Sequence, residues 1–283
     1  MLLRCGQHTL DLSKPVVMGV LNVTPDSFSD GGRFADPRAA VDHALQMIEA
    51  GAGLIDVGGE STRPGAQAVS AAEEIRRVVP VIEAVAARTK VPISVDTSKA
   101  AVMAAAVRAG ASMINDVRAL REPGALEAAA DSNAAVVLMH MQGEPRTMQD
   151  DPRYGDVVAE VREFLRERAA ACVASGIAKD RLVIDPGIGF GKRLEHNLAL
   201  LAGLPALARA GWPVLVGVSR KSMFGSLLGR GVDERLAGSI AATTAAVLAG
   251  ASIVRTHDVA ATVDAVKVAA ALRELQSRRD HGT

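Results

Sequence analysis

The residues able to do chemistry in this chain stand at regular places, each directly after a short apolar run. Asn22 follows the first run, and Glu60-Ser61-Thr62-Arg63 follow the second. Asp96 and Asn115-Asp116 close the third and fourth, and Met139-His140, Asp185, Ser219-Arg220-Lys221 and Arg255-Thr256-His257 close the remaining four. The charges sort into two sets. Arg63, Lys221, Arg255 and His257 are cations suited to a phosphate or pyrophosphate. Asp96, Asn115 and Asp185 are acceptors that could bind a planar, amidine-like heterocycle through its N–H groups, one carboxylate supporting two hydrogen bonds. Asn22 offers a carbonyl oxygen to Mg²⁺, a cation that favours oxygen ligands and phosphate partners. Any single member of the set could be a cap or a turn. A polar group at the end of nearly every run, with no such enrichment at the starts, is what a ligand site leaves in a sequence.

Other chemistries find less support. The histidines His8, His43, His140, His196, His257 and His281 lack metal-ligand spacing. His43 and His196 fall in helical patterns, and His140, although it follows a strand end, is given no catalytic role. Gly187-Ile-Gly-Phe-Gly191 resembles the start of a dinucleotide fingerprint but lacks the third spaced glycine and follows the sixth strand rather than the first. It reads better as a loop carrying Phe190 over the mouth of the fold, for stacking on a ring. No Ser-His-Asp order, nucleophile elbow or Cys-His pairing stands out.

The elements that must position these residues alternate strictly. Apolar runs at 16–21, 54–57, 93–95, 113–115, 135–139, 182–184, 214–218 and 253–255 read as strands. Between and after them, helical patterns cover 37–50, 71–89, 98–109, 124–131, 156–175, 195–208, 233–249 and 258–273. Several open on a cap signal and close on glycine, and Ala-Gly-Ala recurs three times as a helix-to-strand joint. Strict βα alternation predicts a parallel sheet. Eight units in roughly 250 residues is the count of a (β/α)8 TIM barrel, whose ligands meet the carboxyl ends of the strands. A doubly wound open sheet is the alternative. Residues 2–13 alternate around Gly6-Gln7, as a short N-terminal β-hairpin capping one end. No linker or charge block divides the chain, so residues 1–283 are expected to form a single domain. The long connections at 22–36 and 139–155 are expected to be functional or mobile.

Composition narrows the class. At 283 residues the chain can bury a core without staples. Its hydrophobic fraction is 49% with only 2% aromatic, which fits alanine-rich helices over β-branched strands. Lys plus Arg and Asp plus Glu are 32 each, so no net field argues for nucleic acid or an anionic membrane. Cys5 and Cys172 are far apart and read as free thiols in a reducing compartment. The N-terminus lacks the features of a signal peptide. The uncharged window 236–254 is divided by Gly250-Ala-Ser into a helix and a strand, not a membrane span. A soluble, cytoplasmic protein is expected.

Long motifs carry a resemblance. Met18-Gly-Val-Leu-Asn-Val-Thr-Pro-Asp-Ser-Phe-Ser-Asp-Gly-Gly32 and Ile55-Asp-Val-Gly-Gly-Glu-Ser-Thr-Arg-Pro-Gly65 resemble the two-part signature of the bacterial dihydropteroate synthase family. The similarity continues through Ser94-Val-Asp-Thr97, Ile114-Asn-Asp-Val117, Leu138-Met-His-Met141, Asp185-Pro-Gly-Ile-Gly-Phe190, Gly217-Val-Ser-Arg-Lys-Ser222 and Arg255-Thr-His-Asp-Val259. It spans essentially the whole chain, in order.

The resemblance implies a pterin-binding barrel. It would join 6-hydroxymethyl-7,8-dihydropterin pyrophosphate to 4-aminobenzoate, with Mg²⁺, by an SN1-like substitution. By position, Asp96, Asn115, Met139, Asp185, Phe190 and Lys221 would form the pterin pocket. Asn22, Arg63, Arg255 and His257 would hold Mg²⁺ and pyrophosphate. Phe28, Thr62, Pro64, Phe190, Ser219 and Lys221 would surround 4-aminobenzoate. Lys221, Arg255, His257, Asp96 and Asp185 are the implied catalytic set, and Asn22 the metal ligand. Loops 22–36 and 62–70 would close over the site, and a homodimer is implied. A corrinoid methyltransferase barrel or a non-catalytic pterin-binding barrel would share the pterin residues without needing the pyrophosphate cations. Asp56 and Glu60 are left without assigned roles beyond holding the loop.

Overall fold

The computed structural model describes residues 1–24, 37–61, 68–144 and 147–280. Two short strands, β1 (Leu2–Cys5) and β2 (His8–Asp11), pair antiparallel. Eight parallel strands follow: β3 (Val16–Asn22), β4 (Leu54–Gly58), β5 (Ile93–Asp96), β6 (Met113–Asp116), β7 (Ala135–Met139), β8 (Leu182–Asp185), β9 (Leu215–Gly217) and β10 (Ile253–Thr256). Their order is β8-β7-β6-β5-β4-β3-β10-β9, and the single Ile184–Val214 bridge links the two ends. The result is a nearly closed barrel with the expected hairpin.

Period-two alternation divides the barrel strands between two cores. Outward residues, among them Val17, Ile55, Val57, Ile93, Ile114, Val136, Ile184 and Val254, pack beneath the helices. Inward residues Met18, Leu54, Met113, Val137, Val183, Leu215 and Ile253 form a second cluster with Leu3, Cys5 and Leu12. The hairpin therefore plugs the amino-terminal end, and the Gly6 N–H ties it to Asn133 O at 2.9 Å. That leaves the other end open.

The helices are α1 (Pro37–Glu49), α2 (Ala71–Ala86), α3 (Ala100–Arg108), α4 (Ala125–Ala130), α5 (Val157–Ala174), α6 (Leu194–Ala202), α7 (Leu204–Ala208), α8 (Met223–Leu228), α9 (Leu236–Leu248) and α10 (Val259–Asp280). Ser70 caps α2 by accepting from Glu73 N, and Asp156 caps α5 by accepting from Val158 N and Ala159 N. The helix expected over 195–208 is two helices, because Pro205 has no N–H to continue the ladder. A Cβ at the joint residue Gly203 would lie 2.8 Å from the Val158 methyls, so α5 packs directly against the break. The loop after β9 contains the unexpected α8, and α9 starts three residues later than expected, behind a 3-10 turn at Val232–Glu234. Both changes lie above the open end.

Candidate active site

Lateral pairing brings the strand ends together. Asn22 pairs with Gly58, Gly58 with Asp96, and Asp96 with Asn115. Laterally paired residues face the same side, so Asn22, Asp96 and Asn115 stand in one inward row at the mouth. Gly58 leaves the space between them clear: a Cβ there would reach 3.6 Å from both Asn22 Oδ1 and Asp96 Cβ. Met139 pairs with Asp185 on the far side. Arg255 starts lower, beside Met18 and Gly217, and its side chain reaches across the barrel.

That reach organises the centre. Arg255 Nε donates to Asp56 Oδ2 at 2.6 Å and its Nη2 donates to Asp96 Oδ2 at 2.8 Å. Asn115 Nδ2 donates to the same Asp56 oxygen at 2.9 Å. Burial alone would lower the Arg255 pKa, but the Asp56 and Asp96 carboxylates outweigh it and hold the guanidinium charged. Burial pushes Asp96 up to about 7; Arg255 opposes the shift and Asp56 adds to it. Among the described residues Asp56 Oδ1 has no hydrogen-bond partner, which leaves one acceptor of the buried cluster unused there.

A narrow cleft opens above this cluster, lined by Asp96, Asn115, Met139, Asp185, Phe190, Lys221 and Arg255 among others. The Lys221 ammonium lies 4.1 Å from the Phe190 ring centroid. Burial draws the Lys221 pKa down to about 8, against the pull of Asp185 and Asp96. Asp185 is raised chiefly by burial, although its Oδ1 accepts from Gly187 N at 2.7 Å. Two carboxylates, one amide and two cations thus converge on a single concavity with an aromatic wall.

The structure also gathers Ser219 and His257 near that rim. Ser219 Oγ is 3.1 Å from His257 Nδ1 and accepts from the His257 backbone N–H at 3.1 Å. Arg220 between Ser219 and Lys221 has φ 56, and its guanidinium is paired with Asp258. Phe28, Thr62, Arg63 and Pro64 lie outside the described residues. Among the described residues, no group of three or more His, Cys, Asp or Glu side chains is placed to hold a metal ion.

Comparisons with known proteins give the family. The family model for pterin binding enzymes matches residues 18–257. The dihydropteroate synthase of Escherichia coli K12 is 57% identical over 260 residues, 92% of each chain. The chain belongs to the dihydropteroate synthase family. The Yersinia pestis dihydropteroate synthase, solved as a sulfonamide complex, superposes with a TM-score of 0.93 at 54% identity, covering 97% of this chain and all of that one. The Xanthomonas albilineans dihydropteroate synthase in complex with 7,8-dihydropteroate gives a TM-score of 0.88 at 53% identity, over 96% and 99% of the two chains. These are what the fold is similar to over nearly its whole length.

Against this family framework, the structure adds residues that the sequence pattern left aside. Asp56 is the shared acceptor for Arg255 and Asn115. Glu60 pairs with Lys99, which also pairs with the fully buried Glu74 at 2.6 Å. Glu60 Oε1 accepts from Val69 N at 3.0 Å, so this cluster fixes the chain on both sides of residues 62–67. Lys192, unmarked in the sequence, is 3% exposed and sits under the Phe190 loop.

Proposed function

We propose that this chain condenses 6-hydroxymethyl-7,8-dihydropterin pyrophosphate with 4-aminobenzoate, forming 7,8-dihydropteroate and releasing pyrophosphate. The convergence of Asp96, Asn115, Asp185, Lys221 and Arg255 on one cleft supports this reading, together with relatives of that name and the product complex of the Xanthomonas albilineans enzyme. Asp96, Asn115 and Asp185 match the polar edge of a pterin, and Phe190 and Met139 offer apolar faces for its rings. The arylamine is neutral at pH 7, so no strong base is required.

What limits the reaction is departure of pyrophosphate while positive charge builds on the pterin methylene. The C–O bond to pyrophosphate breaks, the amine nitrogen forms the new C–N bond, and the amine then releases a proton to water. Arg255, His257 and Arg63 are the cations for the leaving group, and Asp96 and Asp185 favour the cationic pterin. Asn22 would hold Mg²⁺ through its side-chain oxygen. A single protein oxygen fits an ion whose other ligands are phosphate and water, and the ion would neutralise leaving-group charge. Ser219 and Lys221, with Phe28, Thr62 and Pro64, would surround 4-aminobenzoate.

The same reading carries a homodimer formed through α10, where Val268, Leu272 and Leu275 present exposed apolar side chains. It also carries a cytoplasmic location, with which the free, buried Cys5 and Cys172 agree. Among the described residues, no helix is long and apolar enough to cross a membrane.

The test is formation of dihydropteroate and pyrophosphate from the two substrates with Mg²⁺, repeated with Lys221→Ala and Arg255→Ala. Both variants should lose most of the activity. Unchanged rates in both would overturn the site assignment, and no pyrophosphate release by the parent would overturn the function. A secondary isotope effect at the methylene clearly above unity is expected of SN1-like substitution.

A further inference from the structure

The loop after β8 is held by an arrangement that the reaction, as described, does not use. Its backbone lies against the end of β7: a Cβ on Gly187 would sit 2.0 Å from His140 O, and one on Gly191 would sit 2.4 Å from Gln142 O. Both glycines also have positive φ, 66° and 59°, so the path is closed to other residues twice over. Several of the loop's polar groups have partners from outside it. Gly189 N donates to Asn197 Oδ1 and Gly189 O accepts from Gln149 Nε2, each at 2.7 Å. Gly191 O accepts from the Tyr154 hydroxyl at 2.8 Å.

The Phe190 carbonyl accepts from Lys192 Nζ at 2.9 Å. The same nitrogen lies 3.0 Å from His140 Nδ1 and donates to His140 O at 3.3 Å. An ammonium has three N–H groups, and here it meets three acceptors. None of them is charged. Burial among neutral acceptors is costly for the ammonium charge and draws the Lys192 pKa down to about 7, with the Asp185 carboxylate pulling the other way. His140 suits the task, since burial and the neighbouring Lys192 push its pKa down to about 3 and leave Nδ1 free to accept. Its ring is also set edge-on to Phe164 at 4.9 Å. Lys192 thus stitches the end of β7 to the backbone of the residue whose ring packs on Met139, Met141, Val117 and Met148 and faces Lys221.

We infer that Lys192 is a positioning residue for dihydropteroate synthesis: it holds Phe190 in the cleft wall, and through that ring it places Lys221 and the plane of the pterin. The inference rests on the function proposed above and assigns Lys192 no contact with substrate.

The experiment is steady-state kinetics of the full chain, its Lys192→Met and Phe190→Ala variants, and the double variant. Lys192→Met should raise the KM for the pterin substrate on the order of tenfold or more, the worth of a buried charged hydrogen-bond donor, with a smaller change in kcat. Lys192→Arg should recover part of the loss. In the Phe190→Ala background the same Lys192→Met change should cost no more than about twofold, because residues acting as one unit are not additive. Losses that multiply in the double variant, or an unchanged pterin KM in Lys192→Met, would overturn the inference. If Lys192→Met does not fold, Lys192→Gln, which keeps two N–H donors, carries the same comparison. Calorimetric titration with dihydropterin pyrophosphate reads the coupling without turnover. A parent that binds but makes no dihydropteroate would therefore sink the function while still testing the clamp.

Discussion

Arg255 and Asp96 are each other's partner across the barrel mouth, Nη2 to Oδ2 at 2.8 Å, although 159 residues separate them. A cation proposed for the leaving group and a carboxylate proposed for the pterin are therefore coupled before either ligand arrives. The ion pair keeps the guanidinium aimed into the cleft, where Asp96 is 9% and the Arg255 side chain 21% exposed. Because burial dominates at Asp96, the pair is held at a cost to the ligand-free fold.

That cost gives a pH signature. The Asp96 pKa in the fold is raised to about 7 from an ordinary 3.8. A raised carboxyl binds its proton more tightly in the folded chain, so its contribution is full below the ordinary value and is lost as pH rises to about 7. Asp96→Asn should remove this part of the pH dependence. At pH 8 it should raise the Tm of the ligand-free chain by a few degrees, since about 1 kcal/mol corresponds to about 2–4 °C at this size. It should also weaken pterin binding by at least about tenfold. Calorimetric Tm values from pH 4 to 8 check this, and a variant curve parallel to the parent's would refute it.

Lys221 predicts the alkaline side of the activity profile. Its pKa is drawn down to about 8 by burial, so the ammonium is lost as pH rises beyond that value. kcat/KM for the pterin substrate should fall above about pH 8. Lys192 titrates near 7 by the same cause, so a single profile does not separate the two groups. Lys221→Arg does, because a guanidinium stays protonated: the limb belonging to Lys221 should move out of the measured range while the Lys192 limb stays. A profile that keeps both limbs would remove Lys221 from this role.

Much of this was legible in the chain, for a physical reason. A parallel strand buried on both faces reads as an apolar run, so the polar residue that ends it stands out: Asn22, Asp96, Asn115 and Asp185 were visible this way. Asp56 was not, because it lies inside the run 54–57 and its meaning depends on Arg255, 199 residues later. Lys192 was hidden for the opposite reason. Nothing beside it in sequence marks it, and only the approach of β7 buries it. Helix α8, six residues with a glycine inside, carries too little periodicity to separate from a loop, whereas the break at Gly203 was marked by Pro205, whose missing N–H the apolar pattern over 195–208 masked.

The Lys99 cluster predicts a stability loss without direct damage to the cleft. Glu74 is fully buried, and Lys99 is its cation at 2.6 Å. Lys99→Met would leave that carboxylate uncompensated, and breaking a buried pair from one side costs roughly 3 kcal/mol or more. Replacing both partners, as Lys99→Met with Glu74→Leu, should recover much of the loss. Urea unfolding of the two variants decides it. A single variant as stable as the parent would show that the pair does not hold this end of the chain.

Gly187→Ala should be among the most damaging single-methyl changes in the protein. The residue has φ 66°, and its Cβ would fall 2.0 Å from His140 O. Backbone, not a flexible side chain, occupies that space, so either the loop or the end of β7 must move. Movement of the loop carries Gly187 N away from Asp185 Oδ1 and Phe190 away from Lys221, while movement of β7 displaces Met139. Each route opens the cleft on the pterin side. The variant should therefore lose pterin binding together with activity, whereas circular dichroism reports an intact barrel. Pterin affinity within about twofold of the parent, set against a loop contact worth on the order of tenfold, would mean that the loop tolerates the shift and does not shape the site.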